Sequence, residues 1–125
     1  MLEVGMKGTQ KTVVTPDNTA NAFCSGKLEV FATPAMIALM EKTCWEIVQP
    51  ELEEGQGTVG SKINVSHLAP SALGKTVRCE AELTEVDRRR LTFQVDCYDG
   101  DRLVGTGTHE RFIIDNEKFM SKAGA

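Results

Sequence analysis

Long apolar runs are missing from this sequence: nothing in it approaches the ~20 apolar residues that a membrane-spanning helix needs. The first ten residues, Met1 to Gln10, also lack the apolar stretch of a secretory signal. A cytoplasmic protein that does not engage membranes is the expectation. Aromatic residues are scarce, at 6%, and none is interleaved with the basic residues, so a base-stacking platform for nucleic acid is poorly supported. Positive charge is short as well. Lys and Arg number 14 against 18 Asp and Glu, for a net charge of −4, so no global basic field draws the chain to nucleic acid or anionic lipid. Only two histidines occur, with no H-E-x-x-H. The four cysteines, Cys24, Cys44, Cys79 and Cys97, form no C-x-x-C pair and are widely and irregularly spaced. Zinc, redox and disulfide frameworks therefore lack their spacing signatures, and neither a metal nor a redox cofactor is expected. Cys44, Cys79 and Cys97 sit within apolar patterns, where a free thiol acts as a small hydrophobe.

What is present suits one domain over residues 1–125, long enough to bury a core without metals or disulfides. Lys7 to Val14 ends in the β-branched Thr12-Val13-Val14 and reads as a first strand, and Thr15-Pro16-Asp17-Asn18 as a turn. Residues 19–29 mix small and polar types and read as a loop covering something. Leu28 to Ala32 is a candidate short strand. Thr33-Pro34 then opens a helix, with Thr33 as N-cap and Pro34 at the first helical position. The helix runs to about Gln49, where Pro50 stops it. Met36, Met40, Cys44 and Ile47 recur at helical spacing, as do Ile37, Cys44 and Val48, so its apolar face is broad.

Strands follow. Val59 to Leu68 alternates, with Ile63, Val65 and His67 on one face. Val77, Cys79, Ala81 and Leu83 form a second inward row, and Leu91, Phe93, Val95 and Cys97 a third. Asp99-Gly100 marks a hairpin into Leu103 to Ile114. One long helix with a mostly antiparallel sheet makes an α+β domain. A single helix leaves part of such a sheet uncovered and its edges open, and dimerisation is a natural remedy.

A few residues interrupt these patterns. Glu41 lies four residues after Ile37 and three before Cys44, on their helix face. A carboxylate there must be paired, hydrogen-bonded or neutralised, and desolvation suits it to general-base work. The alternative is a boundary residue bending out to water. His67, on an apolar strand face, is either a proton shuttle or a satisfied core histidine. Thr33 either caps the helix or presents its hydroxyl to a substrate. Thr33 and Glu41 are about 12 Å apart along one helix, so they do not meet within one chain unless the backbone bends. Gly55 to Gly60 follows the helix and is no phosphate loop. Gly60 could nonetheless let a ligand approach the backbone, with its N–H polarising a carbonyl. Arg88-Arg89-Arg90, with Lys75 and Arg78, reads as a solvated turn or a cluster meeting coenzyme A phosphates.

Five strings carry a resemblance: Val30-Phe31-Ala32-Thr33, Leu39-Met40-Glu41, Val59-Gly60, Val65-Ser66-His67 and Gly105 to Arg111, with Glu117-Lys118-Phe119 near the end. In combination and spacing, from about residue 28 onward, the chain resembles the fluoroacetyl-CoA thioesterase family, a branch of the hotdog thioesterases. The resemblance implies a hotdog fold, one long helix wrapped by a curled, mostly antiparallel sheet. It also implies a homodimer with active sites near the subunit interface, leaving a dimer of dimers open. It implies catalytic roles for Thr33, Glu41 and His67 and substrate contacts for Gly60 and Arg111. The family's aromatic residues before the Thr are not matched: Lys27 and Cys24 stand six and nine positions before Thr33, and Phe23 is out of register. Hydrolysis of a short or small acyl-CoA, without fluoroacetyl selectivity, is therefore expected. Glu41 would be either general base or nucleophile. The rivals are an acyl-CoA hydratase or dehydratase and a non-enzymatic acyl-CoA-binding protein.

Overall fold

The computed structural model describes residues 1–124. Five strands and two helices run in the order β1 (Lys7–Val13), α1 (Thr33–Val48), β2 (Gln56–His67), β3 (Thr76–Asp87), β4 (Arg90–Asp99), β5 (Arg102–Asp115) and α2 (Asn116–Lys122). The strands form one antiparallel sheet in the order β1-β3-β4-β5-β2, curled but not closed. The inward rows expected from period-2 alternation are buried: Val77, Cys79, Ala81 and Leu83 on β3, and Leu91, Phe93, Val95 and Cys97 on β4. From α1 they meet Met36, Leu39, Met40, Cys44 and Val48, which together with the strand rows make a single core.

Two tight turns set the register of the central strands. Asp99 pairs with Arg102, leaving Gly100-Asp101 as the hairpin loop, with Gly100 at φ 62°. Asp87 pairs with Arg90, leaving Arg88-Arg89 as the other loop, with Arg88 at φ 59°. The expected turn at residues 15–18 is a short 3-10 helix, Pro16–Asn18. Thr15 closes it as a capping box: its hydroxyl accepts from Asp17 N–H, and Asn18 Oδ1 accepts from Thr15 N–H.

Three expectations are corrected. Leu28 to Ala32 is not a strand; it holds only isolated bridges, Thr19 with Phe31 and Val30 with Ala72. Its backbone partners come from different segments: Phe31 N–H donates to Ser71, and Ala32 N–H to Asn18, so no ladder forms. Thr33 is not the N-cap of α1. Ala32 holds that position without a side-chain cap, and Thr33 is the first helical residue, its hydroxyl turned toward His67. A short helix, α2, follows β5 where none was expected. At seven residues it is too short to show helical periodicity, and its apolar Phe119 and Met120 stay exposed. At the other end α1 stops at Val48, and Gln49–Glu51 continues as a 3-10 turn around Pro50.

Methionine side chains of α1 reach β5 because Gly105 has no side chain. A Cβ there would run into Met36 Sδ and come 3.3 Å from Met40 Cε. Gly107, with φ 155°, lies against the neighbouring strand: a Cβ would strike the Asn64 carbonyl and stand 2.6 Å from Val65 Cα. Methionine side chains can repack, whereas paired backbone cannot. Gly107→Ala is therefore expected to cost about 3 kcal/mol and Gly105→Ala about 1 kcal/mol in urea unfolding. Equal losses would contradict this account of the two contacts.

Candidate active site

Two polar clusters break the apolar interior, both built on β2. The first lies where β2 pairs with β5. Arg111 is only 6% exposed, so its guanidinium must find partners inside the protein. Its Nε donates to Thr58 Oγ1 at 2.8 Å, one terminal nitrogen donates to the Thr58 carbonyl at 3.0 Å, and the other lies 3.1 Å from His109 Nε2. That last nitrogen is also 3.9 Å from Glu41 Oε1 on α1. Burial pulls the Arg111 pKa downward and the Glu41 carboxylate opposes it; a guanidinium so placed remains charged.

The contact with Arg111 determines the protonation of His109. A nitrogen facing a guanidinium N–H must accept, so His109 Nε2 carries no proton, and Nδ1–H donates to the Lys62 carbonyl at 2.8 Å. Burial, and secondarily the Lys62 bond and the Arg111 charge, act on this imidazole, and the net pKa shift is downward. His109 thus holds Arg111 in place as a neutral ring. Sequence alone assigned His109 no role of its own beyond its place in the Gly105 to Arg111 string. The usable signal was the His109-x-Arg111 spacing, which puts both side chains on one strand face.

Gly60 closes this cluster. A Cβ on it would lie 3.2 Å from His109 Cε1, 3.4 Å from the Arg111 guanidinium and 3.7 Å from Glu41 Oε1. The β2–β5 register shifts between Gly60 and Lys62, so Ser61 is an extra residue in a bulge. Its hydroxyl reaches Glu110 Oε2 at 2.8 Å. A bulge bends the strand and leaves backbone groups out of the ladder, here beside a residue with no side chain in the way. Glu41 sits at the boundary of the core, its side chain 43% exposed, and does not face the apolar interior as its spacing suggested.

The second cluster joins the start of α1 to the end of β2. Thr33 Oγ1 and His67 Nδ1 are 2.8 Å apart. His67 Nε2 is shielded from solvent and has no hydrogen-bond partner among the described residues. Burial lowers the His67 pKa, which keeps the ring neutral and able to accept a proton near neutral pH. The pair opens into a hollow of about 290 Å³ walled by Ala20, Ser25, Val30, Phe31 and the Leu68–Pro70 segment. The irregular residues 19–29 thus supply one wall of this hollow. Neither Cys24 nor Lys27 lines it, and Phe23 faces a different hollow between β1 and α1.

The structure therefore joins Thr33 to His67, and Glu41 to Arg111 and Gly60, but separates the two sets. Six residues of β2 lie between Gly60 and His67, roughly 20 Å of strand. Among the described residues, no three His, Cys, Asp or Glu side chains converge to hold a metal ion. Two of the buried cysteines, Cys44 and Cys97, are poor nucleophiles. Burial pushes Cys44 well above the ordinary thiol value, and the Cys79 thiol together with burial does the same to Cys97.

The family described as fluoroacetyl-CoA-specific thioesterase matches residues 14–117. The fluoroacetyl-CoA thioesterase of Streptantibioticus cattleyicolor is 40% identical over 127 aligned positions, covering 97% of this chain and 91% of that protein. A solved structure of a fluoroacetyl-CoA thioesterase superposes with a TM-score of 0.94 at 40% identity, over 98% of this chain and 96% of that one. A hot-dog-like protein from Thermanaerovibrio acidaminovorans superposes with a TM-score of 0.88 at 26% identity, over 96% and 89% of the two chains. With its single long helix, its curled antiparallel sheet and these likenesses over nearly its whole length, the chain belongs to the fluoroacetyl-CoA-specific thioesterase family of hotdog proteins.

Proposed function

We propose that this chain hydrolyses a short acyl-CoA thioester to a carboxylate and free coenzyme A, as a homodimer in which each active site is shared between two subunits. The observation that carries the shared site is the split of the polar residues into two half-sites on β2. That strand lies at the edge of the sheet, and its outward stretch Gly60–Asn64 is exposed. An open edge of this length is a template for a second copy. A two-fold axis between Ile63 and Asn64 pairs the edges antiparallel and sets Gly60 of one copy opposite His67 of the other. Glu41, Gly60 and Arg111 of one subunit then face Thr33 and His67 of its partner. Exposed Trp45 on α1, with Ile63 and Leu68 beside the edge, supplies apolar surface for the same contact.

The chemistry follows from the two halves. The thioester carbonyl lies over Gly60, where the missing side chain admits it and a backbone N–H can stabilise the oxyanion. The Glu41 carboxylate, steadied by Arg111, either takes a proton from an attacking water or attacks the carbonyl carbon itself. The C–S bond then breaks: in the first route the departing thiolate takes up the proton that Glu41 removed from water, and in the second, water hydrolyses the Glu41–acyl anhydride to the carboxylate and supplies the thiolate's proton. Thr33 and His67 hold the acyl end and serve as a local proton relay. The hollow beside them, walled by Ala20, Ser25, Val30, Phe31 and the Leu68–Pro70 segment, suits a short acyl group, and no aromatic side chain of residues 19–29 lines it.

In a thiol-release assay over a panel of acyl-CoA esters, Glu41→Gln and His67→Ala are each expected to lower the rate about 10²–10⁴-fold. Mixing the two inactive variants under conditions of subunit exchange tests the shared site. Half of the randomly formed dimers are mixed, and each mixed dimer holds one intact site of two, so about a quarter of wild-type activity returns. No recovery despite confirmed exchange would place the whole site within one subunit.

Acid should weaken the fold. His67 and His109 are both held below the ordinary imidazole pKa by burial. The unfolded chain therefore binds more protons than the native one once pH falls below about 6.5, and stability declines from there down toward the native values. Urea unfolding from about pH 7.5 to about pH 5 is expected to show this decline, and His109→Gln to make it shallower. An equally steep decline in the variant would remove His109 from the account.

A further inference from the structure

Resting on the thioesterase reading, we infer that the nucleotide end of coenzyme A, its 3′-phosphate and diphosphate, binds in a basic hollow between the β3–β4 turn and α2. The hollow, about 160 Å³, is lined by Arg89, Ile114, Asp115, Lys118, Phe119 and Lys122. Three cations thus surround one carboxylate, a local excess of positive charge in a chain whose net charge is −4.

The neighbouring charges show why this group differs from the rest of the basic run. Arg90 is occupied by Glu85, Asp87 and Glu110. Arg89 has only Asp115, at 3.6 Å, and remains 54% exposed. Lys118 and Lys122 stand one helical turn apart on α2 and make no ion pair among the described residues. Phosphate oxygens are the acceptors that a fork of Arg and Lys donors fits. Phe119, 37% exposed, offers a flat apolar surface on which an adenine can stack.

Position along the strand matches the ligand. β5 runs from Arg111 in the candidate active site to Asp115 at the hollow, four residues or about 14 Å. The pantetheine arm from sulfur to the first phosphorus has about 13 bonds, comparable to four extended peptide residues at three backbone bonds each. A thioester held over Gly60 thus reaches the hollow along the β2–β5 end of the sheet, while its acyl group points the other way, toward the Thr33–His67 hollow of the partner subunit in the proposed dimer.

The test compares acetyl-CoA with acetyl-pantetheine, which lacks the nucleotide, in wild type and in the double variant Lys118→Glu/Lys122→Glu. The expected result is a KM for acetyl-CoA raised about tenfold, with acetyl-pantetheine turnover unchanged. Unchanged KM values for both substrates, or equal losses on both, would overturn the assignment while leaving the hydrolase reading intact. Calorimetric titration with 3′,5′-ADP gives a readout independent of turnover. Binding to wild type that is lost in the double variant supports the hollow, and failure of wild type to bind overturns it. Absence of thiol release from any ester, with 3′,5′-ADP still bound, would instead fall on the proposed chemistry alone.

Discussion

The Arg111 guanidinium is almost wholly withdrawn from water, and much of the molecule around it is arranged to keep it satisfied. A buried charge with a missing partner is strongly destabilising, so every group that meets it is constrained in turn. Thr58 must present both hydroxyl and carbonyl, which sets the start of β2 against β5. His109 must be neutral and in one tautomer, which commits the Lys62 carbonyl just beyond the bulge. Glu41 supplies the opposing charge from α1. One ion thereby ties together the two strands and the helix that carry the chemistry. The same network leaves the Glu41 carboxylate half in solvent beside Gly60.

Seating of the helix is the complementary constraint. α1 approaches β5 through Met36 and Met40, which fill the space that Gly105 leaves. That approach brings Glu41 within reach of Arg111 at one position along the helix and Thr33 within reach of His67 at another. A straight helix keeps those positions about 12 Å apart. Rigidity of a regular element therefore separates the two pairs within a chain, and an open sheet edge is the feature able to reunite them between chains.

Much of the fold was legible in the sequence because burial on one side writes an alternating pattern. The rows from Val77 to Leu83 and from Leu91 to Cys97, the Asp99-Gly100 turn and the helix ending near Pro50 all carry local signals strong enough to read alone. The failures have a common cause in partners distant along the chain. Residues 28–32 take their hydrogen bonds from Asn18 and Ser71, so local propensity could not describe them. Thr33 resembles a cap because Pro34 follows it, yet a histidine 34 residues away captures its hydroxyl. α2 is shorter than the window in which periodicity shows. Thr33, Glu41, His67, Gly60 and Arg111 were singled out by resemblance and by broken apolar patterns. His109 escaped notice because its meaning lies in which nitrogen faces Arg111, a matter of geometry.

The hollow beside Thr33 and His67 takes the side chains proposed to react from regular elements and one of its walls from an irregular segment. Residues 19–29 contribute no side chain to the two polar clusters and belong to neither helix nor strand, so exchanges at Ala20 or Ser25 leave the backbone of the reactive groups untouched. Selection can therefore reshape the receptacle while the reacting groups stay as they are. Relatives that share the proposed site are free to diverge in acyl preference, and Ala20 and Ser25 are the positions of this segment to vary, since the buried Thr19 is tied to the core at Phe31.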